Sequence, residues 1–281
     1  MPNAKDIKIE GSNYLFLGVV GSGKTVLWST IPGRKFCYNF DPGGLKSVRG
    51  VDINYEEFLP KDISTKMITS GISDTYPPLS QRVYNQWEND FETRLNSRWF
   101  TDKNVTHKDS DGTEVQGGVD VVVIDSASTW TNMIIDELQI RNNRVGLPPD
   151  FEHEFHTAMN LISRVVRTLT SLGITVVMCV HERTIQDKVT QRVMSELALV
   201  GQLRQSIPLL FDEIYHLEGR DEGGKAKFKI LTRPTSIYQI ARTRVGRGIY
   251  ELWEDVTVDF SKPIEGQGIA ALMLKAKKGK K

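Results

Sequence analysis

Residues 18–25 read GVVGSGKT, with Gly18, Gly23, Lys24 and Thr25 at the spacing G-x-x-x-x-G-K-T. The apolar run Tyr14 to Leu17 leads into them, and Val26, Leu27 and Trp28 follow before Pro32 and Gly33 close the segment. That order predicts a buried strand, a glycine-rich loop and a helix from Thr25 to Thr30. Glycines let such a loop wrap an anion with backbone N–H groups, and the helix N-terminus adds its positive dipole end. Gly18, Gly21, Ser22, Gly23, Lys24, Thr25 and Val26 are therefore the expected phosphate cradle. Lys24 is placed to reach the β- and γ-phosphates of ATP, and the Thr25 hydroxyl to ligate Mg²⁺. A chance glycine-rich turn would lack the flanking strand and helix.

Outward from this loop the chain alternates strand and helix. Lys35 to Phe40 reads as a second strand ending in the turn Asp41-Pro42-Gly43-Gly44. Gln81 to Phe100 has a helical pattern, with Val83, Trp87, Phe91 and Leu95 on one face. Residues 101–118 are polar and are expected to form a hairpin tip or a mobile insertion. Val119 to Ile124 is apolar apart from Asp120, as a strand covered on both faces should be. Helices are expected near Thr129 to Ile140 and Glu154 to Leu172, and a further central strand over Ile174 to Val180. Strands then cluster near Phe211 to Leu217, Ala226 to Leu231 and Ile237 to Val245. The fold class expected is α/β, with a mostly parallel central sheet flanked by helices and a C-terminal β extension. Residues 1–270 are expected to form one domain, and the lysine-rich residues 271–281 a disordered tail.

A metal-holding carboxylate is needed at the end of another central strand, and Asp125 caps the VDVVVI run. An Asp there could also simply cap the next helix. The following residue is Ser126, so a water-orienting carboxylate must come from elsewhere. Asp41 is the candidate, although Asp before Pro-Gly is also an ordinary turn residue.

The sequence has 281 residues, 36 Lys and Arg against 35 Asp and Glu, and a formal net charge of +1. No overall field attracts a polyanion, so any such contact must be local. Nothing in the chain reads as a membrane span or a secretory leader, and a cytoplasmic location is expected. Cys37 and Cys179 sit in apolar runs and are expected to be buried thiols.

With these residues in view, the segment Tyr14 to Tyr250 resembles the RecA family of P-loop ATPases. VDVVVIDSASTW (119–130) is similar to the family's metal-binding strand. KFCYNFDPGG (35–44) is similar to the strand ending in its catalytic glutamate, with Asp41 one methylene shorter. VVMCVHERT (176–184) resembles the strand whose terminal residue senses the γ-phosphate, which places His181 there. Arg242 and Arg244 in IARTRVG stand where family members carry paired cations that reach a neighbour's ATP. A solvated strand edge would explain the same two cations. About a dozen residues precede the first core strand and no C-terminal DNA-binding domain is visible. The resemblance therefore narrows to the short RecA-like recombination and single-strand annealing proteins of phages, which share the DPGG turn and the ARTR segment.

That resemblance implies ATP and Mg²⁺, a homo-oligomeric ring or filament, and single-stranded DNA as partner. By position, the DNA loops would be Arg141 to Glu154 and Glu182 to Val200, carrying Arg141, Arg144, Arg183, Lys188 and Arg192. Glu182, Asp187 and Glu196 dilute that charge, and on composition alone these are solvated loops. An oligomeric motor or an ATP-switched assembly factor with the same core fits the sequence too. A guanine-reading Asn-Lys-x-Asp motif does not occur, and nothing marks the second substrate site of a nucleotide kinase.

Overall fold

The computed structural model describes residues 12–59, 82–186, 188, 191–246 and 248–279. Its centre is an eight-stranded sheet in the order β12-β11-β10-β1-β7-β6-β2-β3. These strands are β1 (Tyr14–Leu17), β2 (Lys35–Asn39), β3 (Asn54–Glu57), β6 (Val121–Asp125), β7 (Thr175–Val180), β10 (Glu213–Asp221), β11 (Ala226–Leu231) and β12 (Trp253–Asp255). From β10 across to β3 every pairing is parallel, whereas β11 and β12 run antiparallel at the far edge.

Alternation along the central strands explains their unbroken apolar runs. Leu15, Leu17, Phe36, Tyr38, Val122, Ile124, Val176 and Met178 point into one core. Tyr14, Phe16, Cys37, Val121, Val123, Val177 and Cys179 point into the other. The first core is covered by helices α2 (Val83–Asn96), α3 (Ala127–Arg141) and α4 (His156–Thr170) through Trp87, Trp130 and Ile162. On the opposite face lie α1 (Lys24–Ser29) and α6 (Gly268–Lys278), which contribute Leu27, Trp28, Ile269 and Leu272. A short α5 (Leu203–Ser206) leads towards β10. Both cysteines are free and buried, and burial pushes their thiols well up.

Three expectations change. The tail expected to be disordered is the helix α6 as far as Lys278; residues 280–281 lie outside those described. Ile269, Leu272 and Ala276 form its buried stripe, the Ile269 amide donates to Thr30 Oγ1 at 2.9 Å, and the lysines occupy the wet face. The strand expected over Ile237 to Val245 is reduced to a single antiparallel bridge between Ile214 and Arg242. The helix expected from Gln81 begins at Val83, Gln81 itself falling outside the described residues.

Residues 101–118 carry a hairpin, β4 (Thr106–Lys108) with β5 (Glu114–Gln116), and it is anchored rather than loose. Arg94 of α2 is fully buried between Phe36 and Trp99, its guanidinium carbon 4.3 and 4.2 Å from the two ring centroids. It donates to Asp90 at 2.8 Å and to Asp109 of the hairpin at 2.6 Å, with Glu56 of β3 at 3.8 Å. Glu56 in turn accepts from the Ser110 amide and hydroxyl, both at 2.7 Å.

Candidate functional site

Strands β1, β7, β6 and β2 are consecutive neighbours and parallel, so their C-terminal ends form one row. Residues far apart in sequence meet there. Beyond β1, the loop from Gly18 to Gly23 turns tightly, with Gly23 at φ 90°. A Cβ on Gly23 would lie 2.8 Å from the Phe228 ring of β11, so the loop cannot carry a side chain there without displacing that ring. The buried Ser22 Oγ has no hydrogen-bond partner among the described residues, which fits a loop expected to receive an anion.

Lys24 is 6% exposed and donates to the carbonyls of Gly18 (2.8 Å) and Val19 (2.9 Å). Burial holds its ammonium below the ordinary lysine range, partly offset by nearby anionic groups including Asp125 and Asp41. Its third direction faces His181 Nδ1 at 3.5 Å. Since an ammonium cannot accept, that nitrogen must, which puts the imidazole proton on Nε2. Nε2 then donates to Asp41 Oδ2 at 3.3 Å.

Asp41 also accepts from Ser126 Oγ at 3.0 Å and from Thr129 Oγ1, both at the start of α3. Burial works to raise this carboxyl, but the hydrogen bonds from His181, Thr129 and Ser126 outweigh it and hold it below the ordinary range. It is an anion at neutral pH, and an acceptor. Asp125 has the opposite balance. It is 3% exposed, and burial raises its carboxyl although Trp28 Nε1 (2.9 Å) and Thr25 Oγ1 (2.7 Å) both donate to Oδ2. The peptide bond joining it to Ser126 is cis.

Among the described residues no group of three or more His, Cys, Asp or Glu side chains forms a metal centre. The donor set here is one hydroxyl and one carboxylate, which suits Mg²⁺ taking its remaining ligands from phosphates and water.

With this geometry in view, the comparisons place the chain. The family model of an AAA domain matches residues 10–244. The chain belongs to this AAA domain family. The family match and the phosphate loop at the end of β1 make it a P-loop ATPase domain on an α/β sheet. No curated protein matches it. Among solved structures, the flagellar accessory protein FlaH from Methanocaldococcus jannaschii matches at 13% identity and a TM-score of 0.39. The match covers 89% of this chain and 86% of that one. No helix among the AAA domain's described residues is long and apolar enough to cross a membrane.

Other expected site residues lie elsewhere in the AAA domain. Arg242 and Arg244 are not on a strand, so the expected strand-face geometry fails. Arg242 donates to the carbonyls of Pro208 and Phe211, and Arg244 pairs with Asp212. Both sit beside the N-terminal end of β10, at the end of the parallel strands opposite the chain's own phosphate loop. Glu182, the carboxylate next to His181, is engaged elsewhere: it accepts from Ser195 Oγ at 2.8 Å and lies 2.9 Å from His216 Nδ1.

In place of an open loop, β8 (Glu182–Gln186) and β9 (Val193–Leu197) pair antiparallel. Arg183 pairs with Glu196 at 3.0 Å, Arg141 with Glu137 at 2.8 Å, and Arg144 with Asp150 at 2.6 Å and Glu154 at 3.2 Å. Lys188 is exposed, and Arg192 is engaged. Sequence reasoning missed Trp28, Ser128 and Thr129. Ser128 Oγ accepts from the His181 amide at 3.0 Å, and Thr129 has only its position three residues after a helix-capping serine to betray it.

Proposed function

We propose that this AAA domain hydrolyses ATP with Mg²⁺ and works as a homo-oligomer on single-stranded DNA, in recombination or strand annealing. The observation that supports the hydrolytic roles is the convergence of Lys24, His181 and Asp41 at neighbouring strand ends. Residues from Gly18 to Val26 hold the triphosphate, and Lys24 exchanges its carbonyl partners for phosphate oxygens. Thr25 and Asp125 would hold Mg²⁺, which would supply positive charge against the phosphates. Asp41, kept ionised by its donors, orients the attacking water, and His181 links it to the lysine. In Asp41→Asn, nucleotide binding should persist while turnover falls roughly 10²- to 10⁴-fold. An unchanged turnover number in that variant would remove Asp41 from the reaction.

Support for the DNA role comes from the resemblance of the DPGG turn and the ARTR segment to short phage RecA-like proteins. The ion-paired arginines of 141–154 and 182–197 favour the other reading, a motor or assembly factor without DNA. Titrating a labelled single strand with the full chain and a non-hydrolysable ATP analogue decides between them.

For the neighbour-reaching cation, Arg244 is the better placed of the two. Its side chain is 59% exposed and held by one ion pair, an interaction worth about 0–1 kcal/mol at a surface. Mixing Arg244→Ala with Lys24→Ala protein should restore part of the activity that each lacks alone.

A further inference from the structure

The turn after Asp41 forms part of a second cleft that the phosphate site does not use. The 3-10 turn Gly44–Val48 and the residues after it separate two contiguous hollows. One, of about 550 Å³, is lined by Lys35, Lys46, Arg49, Phe260 and Lys262. The other, of about 300 Å³, runs from Gly43 to Tyr55, and both share Lys46, Arg49, Gly50 and Val51. These volumes are in the range of ligand sites, about 300–1,000 Å³.

Charge and ring placement indicate the occupant. Asp52 and Glu265 face Lys35, and Lys262 pairs with Asp259 at 3.1 Å, so those cations are balanced. Lys46 and Arg49, in the shared middle, make no side-chain hydrogen bond or ion pair among the described residues. At the two ends stand Tyr55, 48% exposed, and Phe260, 51% exposed. Neither ring contacts another aromatic among the described residues. Two cations without a side-chain partner, shared by the two hollows, with an open ring lining each hollow, match a strand whose phosphates need neutralising and whose bases need a stacking face, although Asp52, Glu57 and Glu265 line the same hollows.

We infer that this trough, and not the 141–154 and 182–197 segments, binds single-stranded nucleic acid, with Lys46 and Arg49 on phosphates and Tyr55 and Phe260 under bases. The inference rests on the DNA reading above and gives it a location. It also ties the strand to the reaction, because the Gly44 amide donates to the Asp41 carbonyl at 3.1 Å. The shared chemistry, phosphate plus planar base, could also come from a free nucleotide, so both ligands are tested.

The test is fluorescence anisotropy of a labelled oligo(dT) with the full chain and a non-hydrolysable ATP analogue, across a salt series. Tyr55→Ala and Phe260→Ala should each weaken binding about 5- to 150-fold. The double variant Lys46→Ala/Arg49→Ala should flatten the slope of log K against log salt by about 1.4, two phosphates at about 0.7 each. All four residues lie at the surface, and unchanged nucleotide affinity in each variant checks the fold. Photocrosslinking of a halogenated-uracil strand should label Tyr55 or Phe260. Wild-type binding in the trough variants, with loss in Arg141→Ala/Arg183→Ala, overturns the location and leaves the DNA reading standing. Competition by mononucleotide at equal affinity overturns the strand assignment. If the wild type binds no strand at low salt, both readings fall together.

Discussion

Replacing Asp125 by Asn should make the nucleotide-free protein more stable while removing its response to Mg²⁺. Thr25 Oγ1 and Trp28 Nε1 both donate to the same oxygen of this carboxylate, Oδ2, and the Cys179 thiol is a further hydrogen-bond partner of Asp125. An asparagine that puts its carbonyl oxygen there keeps the Thr25 and Trp28 hydrogen bonds and the side-chain volume. What it removes is a buried negative charge whose desolvation outweighs those bonds, as the raised carboxyl shows. Relieving a functional site of such a burden typically gains about 0.5–2 kcal/mol. At about 2–4 °C per kcal/mol for a chain of this size, the melting temperature should rise by about 1–8 °C near neutral pH. A raised carboxyl is a cost only when ionised, so the gain should shrink as pH falls and vanish below the ordinary carboxylate range, where the wild-type group is protonated in both states. With Mg²⁺ and a non-hydrolysable ATP analogue the order should reverse. A ligand at 100 times its Kd adds about 2.7 kcal/mol, and the variant should forgo the metal-dependent part. Thermal melts in EDTA and in Mg²⁺-nucleotide, at neutral and acidic pH, measure both effects. A less stable Asn variant in EDTA, or equal Mg²⁺-dependent stabilisation of the two proteins, would show that Asp125 is a structural acceptor and that the metal lies elsewhere.

Other outcomes follow from the same contacts. His181→Ala removes a donor to Asp41, so the carboxyl should rise towards its ordinary value and the acid limb of the pH–rate profile should move to higher pH. An unmoved limb would mean that Thr129 and Ser126 suffice. Arg94→Met should lower stability by about 3–5 kcal/mol in urea unfolding, because Asp90, Asp109 and Glu56 lose the cation that they share; a loss under 1 kcal/mol would refute that shared role. Ending the chain at Gln267 exposes Trp28, Tyr250 and their neighbours beneath α6. Aggregation or a large drop in melting temperature is expected, and a wild-type melt would show that α6 does not seal the core.

The parts legible in sequence were those whose signal is local. Tyr14 to Thr25, Val121 to Asp125 and Thr175 to His181 each carry apolar run, end residue and turn within about ten positions. They set the sheet's middle and three sides of the site. Asn54–Glu57 and Trp253–Asp255 were not legible, because these short edge strands are mostly polar and gain their pairing only from β2 and β11. The helix α6 was missed because a boundary at residue 270 separates Ile269 from Leu272 and Ala276, leaving the lysines to dominate. The fate of Arg242 depends on two carbonyls 31 and 34 residues away, which no local pattern records. Thr129 and Ser128 look like ordinary helix-start residues until β2 and β7 bring Asp41 and His181 beside them.

The side-chain contacts that join the strand ends around the phosphate site span long stretches of chain: Thr25 to Asp125 over 100 positions, Asp41 to His181 over 140, Lys24 to His181 over 157. Among the described residues, the strand β1 is hydrogen-bonded only to β7 and β10, both made late. A chain emerging from the ribosome therefore holds its phosphate loop open-edged for nearly two hundred residues of synthesis. Loop-closure entropy must be met before any of these contacts forms, which makes such a sheet slow to assemble. Nucleotide thus selects the finished molecule, and in a refolding reaction its capture marks completion, well after the helices register by circular dichroism.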